Sequence, residues 1–309
     1  MKTNNERYYS LSAYCKETFG EKVYRLSLNG GMSCPNRDGS LSYGGCAFCS
    51  EGGSGDFAAD CQVSVSAQLH VAKEQVCRKT NCSKFIAYFQ AYTNTYAPVD
   101  YLRRIFTEAI EAPEVVALSI GTRSDCLSED VLDLLEELSQ IKPIWVELGL
   151  QTMHNSTLEL MNTRTTVEQF DDAVHRLHSR GIAVIAHVIL GLPGETKDMM
   201  LETITYIATL PLSGVKLQLL HVLKDTRLAD MYAQEPFETF ELEDYCDFVV
   251  DCLERLPADM VIHRMTGDGP RKLLIAPLWS TDKKRVLNTI QKRLQERDTW
   301  QGKLYHFPN

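Results

Sequence analysis

Two hydrophobic patterns alternate along roughly the first 220 residues of the chain. Short runs rich in β-branched and aromatic residues have the pattern of strands, and the segments between them have the spacing of amphipathic helices. Helical segments occur, for example, at 98–110 and at 166–180, where Gly181 ends the pattern. The succession predicts a parallel sheet with right-handed helical crossovers. The six predicted strands are 22–28, 85–89, 115–120, 144–148, 183–190 and 215–220.

Six strand–helix units in succession are typical of a (β/α) barrel or partial barrel, and a doubly wound open sheet is the alternative. The chemistry described below favours an α/β fold with a partial (β/α)6 TIM-like barrel. After residue 220 the pattern changes, and 241–256 and 282–297 have helical spacing. No linker is apparent. We therefore expect a core of residues 1–225 and a C-terminal helical extension of residues 226–309, a candidate for substrate or tRNA contact.

Composition and charge exclude several classes of protein. The 309 residues are 44% hydrophobic and 24% charged, which is ordinary for a folded protein and argues against disorder. No apolar run approaches the roughly 18 residues of a membrane span, and the first ten residues lack the apolar segment of a signal peptide. We therefore expect a cytoplasmic protein without membrane contact. The net charge of −9 argues against non-specific nucleic-acid binding, although a local basic patch can still bind RNA.

Ten cysteines are many for such a chain, and their positions divide them into two groups. In a reducing compartment, clustered cysteines more often bind metal, and scattered ones are usually small buried hydrophobes. A glycine-rich loop after the first predicted strand, residues 29–57, has the spacing C-x11-C-x2-C. Its thiolates are soft ligands that suit zinc or an iron–sulfur centre. The clustered cysteines are Cys34, Cys46 and Cys49.

The number of clustered cysteines helps to choose between these centres. A structural zinc site and an electron-transfer cluster both use four protein ligands. Three thiolates leave one iron of a cluster open to a substrate or cofactor. Cys61 has no regular spacing from the others and stays a candidate fourth ligand. The spacing alone fits zinc and a cluster equally well, but the place of the loop, directly after the first strand of a βα array, favours a cluster.

The cysteine loop, with Phe48 just before its last cysteine, resembles the signature of radical S-adenosylmethionine (SAM) enzymes. The Cys-Pro-Asn-Arg sequence at 34–37 and the long first gap resemble the branch related to the elongator catalytic subunit. The YhcC/YtqA-type members of that branch are more similar still. The resemblance covers roughly the first 220 residues and continues through the segments 88–96, 119–126, 147–152 and 187–195.

The resemblance implies a [4Fe–4S] cluster on the three cysteines, with the amino and carboxylate groups of SAM on the fourth iron. One electron from an electron donor such as flavodoxin or ferredoxin splits the sulfonium–carbon bond. The 5′-deoxyadenosyl radical then takes a hydrogen atom from the substrate. In this interpretation SAM is bound by residues of the cysteine loop and of segments that follow the strands: Phe48, Gln90, Thr93, Asn94, Thr122, Arg123, Asp125, Glu147, Gln151 and Gly191.

Some of these candidates also have a purely structural interpretation. Arg123 and Asp125 can form a salt bridge within their own loop, and 191–194 can be a simple strand-to-helix turn. Glu147 in an apolar strand is harder to explain in this way, because a buried carboxylate needs a partner. His187 also lies on an apolar strand, where a histidine is more often a satisfied core residue than a ligand.

No catalytic residue is assigned from the sequence. The sixth predicted strand offers Lys216, Gln218 and His221 as candidates, and the first two share a face because strand side chains alternate. Residues 261–268 are either a further strand or a surface turn. As a strand, they bring three polar residues to the mouth of the barrel as candidate substrate contacts: His263, Arg264 and Asp268.

The helical segment 282–297 begins with a basic cluster of candidate substrate contacts, Lys283, Lys284 and Arg285. A solvated helix face is one explanation, and contact with a phosphate backbone is the other. The elongator-like branch is associated with the tRNA wobble uridine. The resemblance therefore implies maturation of a substituent at C5 of that uridine, such as the change from carboxymethylaminomethyl to aminomethyl, with tRNA and a downstream methyltransferase as partners. The alternatives are a radical SAM enzyme acting on a small molecule or peptide, and a non-enzymatic zinc or iron–sulfur RNA-binding module.

Overall fold

The computed structural model describes residues 7–53, 55, 58, 60–267 and 269–306. Part of the predicted cysteine loop, residues 54, 56 and 57, lies outside these described residues, as does the candidate Asp268. Within the described part of the chain, no helix combines the length and apolarity that crossing a bilayer requires.

Seven parallel strands form one curled sheet in which the spatial order follows the chain order. This confirms the partial barrel, and it shows that the doubly wound alternative is wrong. The seventh strand lies within 261–268, so the interpretation of that segment as a strand is correct. The strands are β1 (Tyr24–Leu28), β2 (Phe85–Phe89), β3 (Val115–Thr122), β4 (Ile144–Gln151), β5 (Ala183–Leu190), β6 (Gly214–Leu219) and, after the short β7 (Val222–Leu223), β8 (Val261–Arg264). A final strand, β9 (Leu274–Ala276), pairs with β7 in a separate antiparallel ribbon.

Helices follow the strands and cover the outer face of the sheet, where they share its main apolar core. Several begin at side-chain caps; at Thr166, for example, a capping box with Gln169 satisfies two terminal N–H groups. The helices are α1 (Leu11–Phe19), α2 (Val65–Cys77), α3 (Val99–Ile110), α4 (Glu129–Ser139), α5 (Asn155–Leu160), α6 (Val167–Ser179), α7 (Lys197–Thr209), α8 (Arg227–Gln234), α9 (Leu242–Arg255) and α10 (Lys283–Glu296).

Side chains that point into the barrel form layers, because alternate residues of each strand face the same way. The lowest layer is apolar and packs against α1, with the ring centroids of Tyr14 and Trp145 5.7 Å apart. The layer above it is polar and contains Glu147 on β4 and Lys216 on β6, both almost fully buried. Helix α1 therefore closes one end of the barrel. The other end, where the strands terminate, is left for a site.

Candidate active site

The cysteine loop is held in place by Asn36, which is completely buried. Its Nδ2 donates to the carbonyl of Asn162 at 2.7 Å and to Cys46 Sγ at 3.5 Å. In return, Asn162 Nδ2 donates to the carbonyl of Gly45 at 2.9 Å. This pair of amides ties the loop after β1 to the segment after α5, so the position of Cys46 depends on two distant parts of the chain.

Arg37 fixes the part of the loop around the last cysteine. Its guanidinium donates to the carbonyls of Cys49 at 3.1 Å and of Ser50 at 2.5 Å. It also lies over the ring of Tyr92, 5.6 Å from the centroid. The side chain of Arg37 therefore works as a scaffold between the cysteine loop and the segment that follows β2.

All three clustered cysteines line one cavity of about 250 Å³ at the ends of the strands. Cys61, the candidate fourth ligand, is exposed and is not among the residues that line this cavity. Among the described residues, no group of three His, Cys, Asp or Glu side chains surrounds a single-ion position. A cluster offers a separate iron to each thiolate, so this donor set suits a cluster better than a tetrahedral zinc ion.

The buried environment of Cys46 disfavours the thiolate form of its side chain, and a cationic centre would reverse this preference. Burial, and after it the neighbouring Cys49, raise the pKa of Cys46 to about 12. Arg123 and the Asn36 amide oppose this shift. A coordinating metal deprotonates a thiol and stabilises the thiolate. Binding of a positively charged iron centre would therefore offset the cost of burying a charged Cys46 side chain.

The sequence-predicted SAM residues divide into two groups in the structure. Three do not line the cavity. Asn94 donates to the carbonyl of Gly121 at 2.8 Å, Asp125 binds Arg123, and Gly191 lies under Phe240, whose ring is 3.1 Å from the position of an added Cβ. The candidates that do line it are Phe48, Gln90, Thr93, Thr122, Arg123, Glu147 and Gln151.

The salt bridge expected within the loop after β3 is present. Arg123 Nε and Nη2 donate to the two carboxylate oxygens of Asp125 at 2.9 and 2.7 Å, and Nη1 donates to the carbonyl of Thr163 at 2.8 Å. Arg123 therefore binds the carboxylate of Asp125, two residues further along the same loop. A contact of either residue with SAM stays a prediction.

Gln151 ends β4 in a left-handed conformation, with φ of 70°. Its Oε1 is buried and has no hydrogen-bond partner among the described residues. At Gly149, an added Cβ would lie 2.5 Å from Gln151 Nε2, so the missing side chain makes room for this amide. A buried amide oxygen without a partner is costly, and a polar ligand in the cavity would satisfy it.

A buried ionic layer forms the floor of the cavity around Glu147. Its carboxylate Oε2 accepts from Lys216 Nζ and lies 2.8 Å from His187 Nε2, while Oε1 accepts from Ser119 Oγ at 2.9 Å. A guanidinium nitrogen of Arg25 lies 3.2 Å from Oε1. Burial opposes ionisation, but Lys216 and Arg25 outweigh it and hold the pKa of the Glu147 carboxyl well below its usual range.

The histidines of this layer are held neutral. Burial and the nearby Lys216 lower the pKa of His187 to about 4, although Glu147 works in the opposite direction. Burial, and then Arg25, lower the pKa of His263 well below its usual value. His263 Nδ1 is 2.8 Å from an Arg25 nitrogen, and the histidine does not line the cavity. His187 is therefore a satisfied histidine of the polar layer, as its apolar strand predicted.

Lys216, Gln218, His221 and Arg264 line the cavity, as their candidate roles require. Sequence reasoning did not single out three further members of the floor: Arg25, Tyr88 and Ser119. Tyr88 OH accepts from Lys216 Nζ at 3.1 Å across the barrel. The signal available was strand alternation, which gives Arg25 an inward-facing position in β1.

The basic segment of α10 divides into two parts. Near its end, Arg293 lies 2.6 Å from Glu243, and just after it Arg297 lies 2.6 Å from Asp251; both carboxylates belong to α9. At its beginning, an exposed groove separate from the cavity is lined by Asp282, Lys284, Arg285, Asn288, Thr289 and Lys292. None of Lys283, Lys284 and Arg285 lines the cavity, so any substrate contact there is with a part of the substrate outside it.

Two family models match the chain. The model of the Radical SAM superfamily matches residues 34–207, and the model of the Radical_SAM C-terminal domain matches residues 212–296. The first match begins at Cys34 and includes all three clustered cysteines.

Three related proteins differ in how much of the chain they match. YtqA of Bacillus subtilis is 45% identical over 97% of this chain and 93% of its own length. YhcC of Escherichia coli K12 is 36% identical over 90% of this chain and 89% of its own. The tRNA uridine(34) acetyltransferase of Methanocaldococcus infernus is 27% identical over 52% of this chain and 30% of its own. The first two confirm the YhcC/YtqA-type resemblance.

A solved structure has the same fold. The archaeal Methanocaldococcus infernus Elp3 with an N-terminal deletion superimposes with a TM-score of 0.69 at 18% identity. The match covers 90% of this chain and 64% of that one, so the chain spans slightly less than two thirds of that structure. At this identity the likeness concerns the fold alone.

Proposed function

The chain belongs to the radical SAM superfamily, and from that premise we propose that it converts a carboxymethylaminomethyl group at C5 of a tRNA wobble uridine to an aminomethyl group. The [4Fe–4S] cluster, SAM and the enzyme class follow from the family. The substrate and the residue roles are the proposal. The alternative of a non-enzymatic zinc or iron–sulfur RNA-binding module does not agree with membership of this family.

We infer that Cys34, Cys46 and Cys49 hold the cluster and that Gln151 is among the residues that bind SAM. The three thiols share one cavity, and the unpartnered Oε1 of Gln151 lies in its lining. When bound, the cluster and SAM would supply reductive cleavage of the sulfonium–carbon bond and a 5′-deoxyadenosyl radical that takes a hydrogen atom from the carbon next to the substrate carboxylate. Return of one electron to the oxidised cluster would give an imine, and its hydrolysis would release the two-carbon fragment as glyoxylate and leave the aminomethyl group.

The chain itself supplies position and protection from water. Asn36 and Arg37 fix the backbone that carries the cysteines. Phe48 and Ile189 give the cavity apolar wall, while the ionic floor and α1 close it from below. Closing the cavity from below shields a reactive species from solvent and so helps to prevent side reactions.

The observation that carries the tRNA proposal is the similarity of half of this chain to an enzyme named tRNA uridine(34) acetyltransferase. The exposed groove with Lys284 and Arg285 supports it, because phosphate groups bind such side chains. In this proposal tRNA lies across α10 while one nucleoside enters the cavity. The enzyme then needs an electron donor such as flavodoxin or ferredoxin, and the aminomethyl product is a substrate for a methyltransferase.

The decisive experiment uses anaerobically reconstituted enzyme, SAM, a reductant and bulk tRNA from a strain that lacks the gene. We expect 5′-deoxyadenosine together with loss of carboxymethylaminomethyluridine and gain of aminomethyluridine, measured by nucleoside mass spectrometry. Cys46→Ala is the matched control and should form neither product.

The outcome also separates the remaining alternative. If wild-type enzyme forms 5′-deoxyadenosine but leaves the tRNA nucleosides unchanged, the tRNA assignment is wrong. A small molecule or peptide then becomes the better substrate class, and neutralising Lys284 and Arg285 should have no effect on its turnover.

A further inference from the structure

Asn36 contacts one of the three clustered cysteines directly, through its side-chain amide. We propose that this amide makes the cluster easier to reduce by donating an N–H···S hydrogen bond to the Cys46 thiolate. Asn36 is then a positioning residue that acts through Cys46 and helps to set the reduction potential of the cluster. This inference rests on the proposed assignment of the cluster to the three cysteines.

The contacts of the Asn36 amide establish that its nitrogen, and not its oxygen, faces the sulfur. Nδ2 lies 2.7 Å from the backbone carbonyl oxygen of Asn162, a distance at which only a hydrogen-bond donor is favourable. The second N–H of the same nitrogen is available to Cys46 Sγ, 3.5 Å away. Oδ1 is buried and has no hydrogen-bond partner among the described residues. Because a buried oxygen without a partner is costly, the two donated bonds are what hold the amide in this orientation.

The backbone is fixed on both sides of the N–H···S contact. The Asn36 carbonyl accepts from Gly45 N at 2.8 Å, which closes the loop between Asn36 and the residue before Cys46. After Cys46, Ala47 N donates to the carbonyl of Met161 at 2.8 Å. The donor and the sulfur therefore keep their relative positions, and the bond needs little further ordering when the cluster forms.

The sign of the effect follows from the charge of the cluster. Reduction adds one negative charge, and part of that charge falls on the cysteine sulfurs. A donor to sulfur therefore stabilises the reduced state more than the oxidised state, and such hydrogen bonds are among the features that set cluster potentials. Asn36 is completely buried, so water does not compete for its amide and the low local dielectric strengthens the bond. Loss of this donor should lower the reduction potential.

Two variants separate the N–H···S bond from the general support of the loop. Asn36→Leu keeps the branched shape of the side chain but removes both donors. Asn162→Gly is the matched control, because it removes the amide that donates to the Gly45 carbonyl at 2.9 Å but keeps the backbone carbonyl that accepts from Asn36. Glycine readily adopts the left-handed conformation of Asn162, which has φ of 53°.

The main measurement is the midpoint potential of the cluster. Each protein is reconstituted anaerobically, its iron and sulfide are quantified, and the cluster is titrated by EPR spectroscopy without SAM or tRNA. We expect Asn36→Leu to lower the equilibrium constant for one-electron reduction by roughly threefold to tenfold, a fall of about 28–59 mV in potential. Asn162→Gly should change this constant by less than about twofold.

A second measurement uses the wild-type side chain and decides the matter if Asn36→Leu assembles no cluster. Asparagine labelled with ¹⁵N in its side-chain amide is incorporated, and the reduced cluster is examined by pulsed EPR. We expect a ¹⁵N coupling, because an N–H···S bond transfers unpaired spin to the donor nitrogen. The coupling should persist in Asn162→Gly.

Three results would overturn the inference. An intact cluster with an unchanged potential in Asn36→Leu would show that the amide has no effect on reduction. An equal fall in both variants would assign the effect to the position of the loop. Absence of a ¹⁵N coupling in the wild-type chain would show that the amide does not reach the sulfur. If the wild-type chain forms no [4Fe–4S] cluster at all, the proposed cysteine site itself fails, and the iron and sulfide analysis recognises that outcome separately.

Discussion

The cavity floor and the α9–α10 surface are both rich in ion pairs, but they use charge in opposite ways. In the floor, the carboxylate of Glu147 is fully buried and accepts from four side chains. On the surface, Arg293 lies within 3.3 Å of three carboxylates that are about half exposed. The ion pairs of the floor are buried and little screened, whereas those of the surface are exposed to water and screened.

This difference in burial determines how much folding free energy should be lost when one partner of an ion pair is removed in each region. Removing one partner of a buried pair leaves an uncompensated charge and typically destabilises by about 3–5 kcal/mol. An exposed pair typically contributes about 0–1 kcal/mol. The floor should therefore respond strongly to loss of its anion, and the surface should hardly respond to loss of a cation.

The largest effect is expected from Glu147→Gln. It leaves Lys216 and Arg25 buried without an anion, so we expect a loss of about 3–5 kcal/mol in folding free energy. The thermal unfolding midpoint of the holoenzyme, followed by circular dichroism under nitrogen, should fall by several degrees. Glu243→Gln on α9 makes the same chemical change at the surface, and its midpoint should stay within about one degree of wild type. Equal shifts for the two variants would remove the distinction between the regions.

The next effect is on pH dependence. His187 has a folded pKa of about 4 against an ordinary 6.5, so between these values the unfolded chain binds a proton that the folded chain does not. Stability from this group is therefore complete above pH 6.5 and is lost as the pH falls towards 4, by about 3 kcal/mol in all. The groups that face His187 are Glu147, Lys216 and Arg264.

Thermal unfolding at several pH values between 7.5 and 4.5 checks this prediction. The His187→Gln variant should show a weaker loss of stability over this range than wild type. His70→Gln is the control, because the side chain of His70 is 73% exposed beside Glu74 and should not alter the profile. A wild-type profile that is flat between pH 6.5 and 5 would contradict a neutral, buried His187.

The same two regions show what the sequence could predict. The strand patterns and the cysteine spacing were enough to predict the partial barrel. Both signals are local, because each lies within one strand or one loop. Gln218 and Lys216 were correctly assigned to a shared face for the same reason. Helix α1, although it begins at a Ser10 cap, was not predicted, and its position beneath the barrel depends on packing with Trp145.

Contacts between distant segments could not be predicted. Asn36 and Asn162 are 126 residues apart, and although Asn36 belongs to the Cys-Pro-Asn-Arg motif, nothing in the sequence indicates that it pairs with Asn162. The position of Arg25 next to His263 requires the sheet to curl until its first and last strands meet. The sequence also could not show that Arg293 and Arg297 pair with carboxylates of α9, because this pairing depends on how two helices pack.

A smaller effect is expected at the start of α10. The double variant Lys284→Gln/Arg285→Gln should weaken tRNA binding by roughly tenfold at physiological salt, and the slope of log Kd against log salt should fall by about 2. Folding stability should not change. Lys16→Gln/Lys22→Gln removes two exposed charges near the closed end of the barrel and serves as the control for net charge. Equal weakening by both pairs would indicate a general charge effect rather than a tRNA surface.

The smallest effect is expected from Arg293→Gln in the α9–α10 surface. Arg293 contacts Glu243, Asp247 and Glu296, but all of these carboxylates are accessible to water, so their loss of a partner is compensated by hydration. We expect a loss of at most about 1 kcal/mol in folding free energy. Most of this loss should be absent in 1 M salt, where the Debye screening length is about 3 Å. Unfolding midpoints at low and high salt measure both quantities. A loss as large as that of Glu147→Gln, or one that salt does not reduce, would mean that this network holds α10 as firmly as the floor holds the barrel.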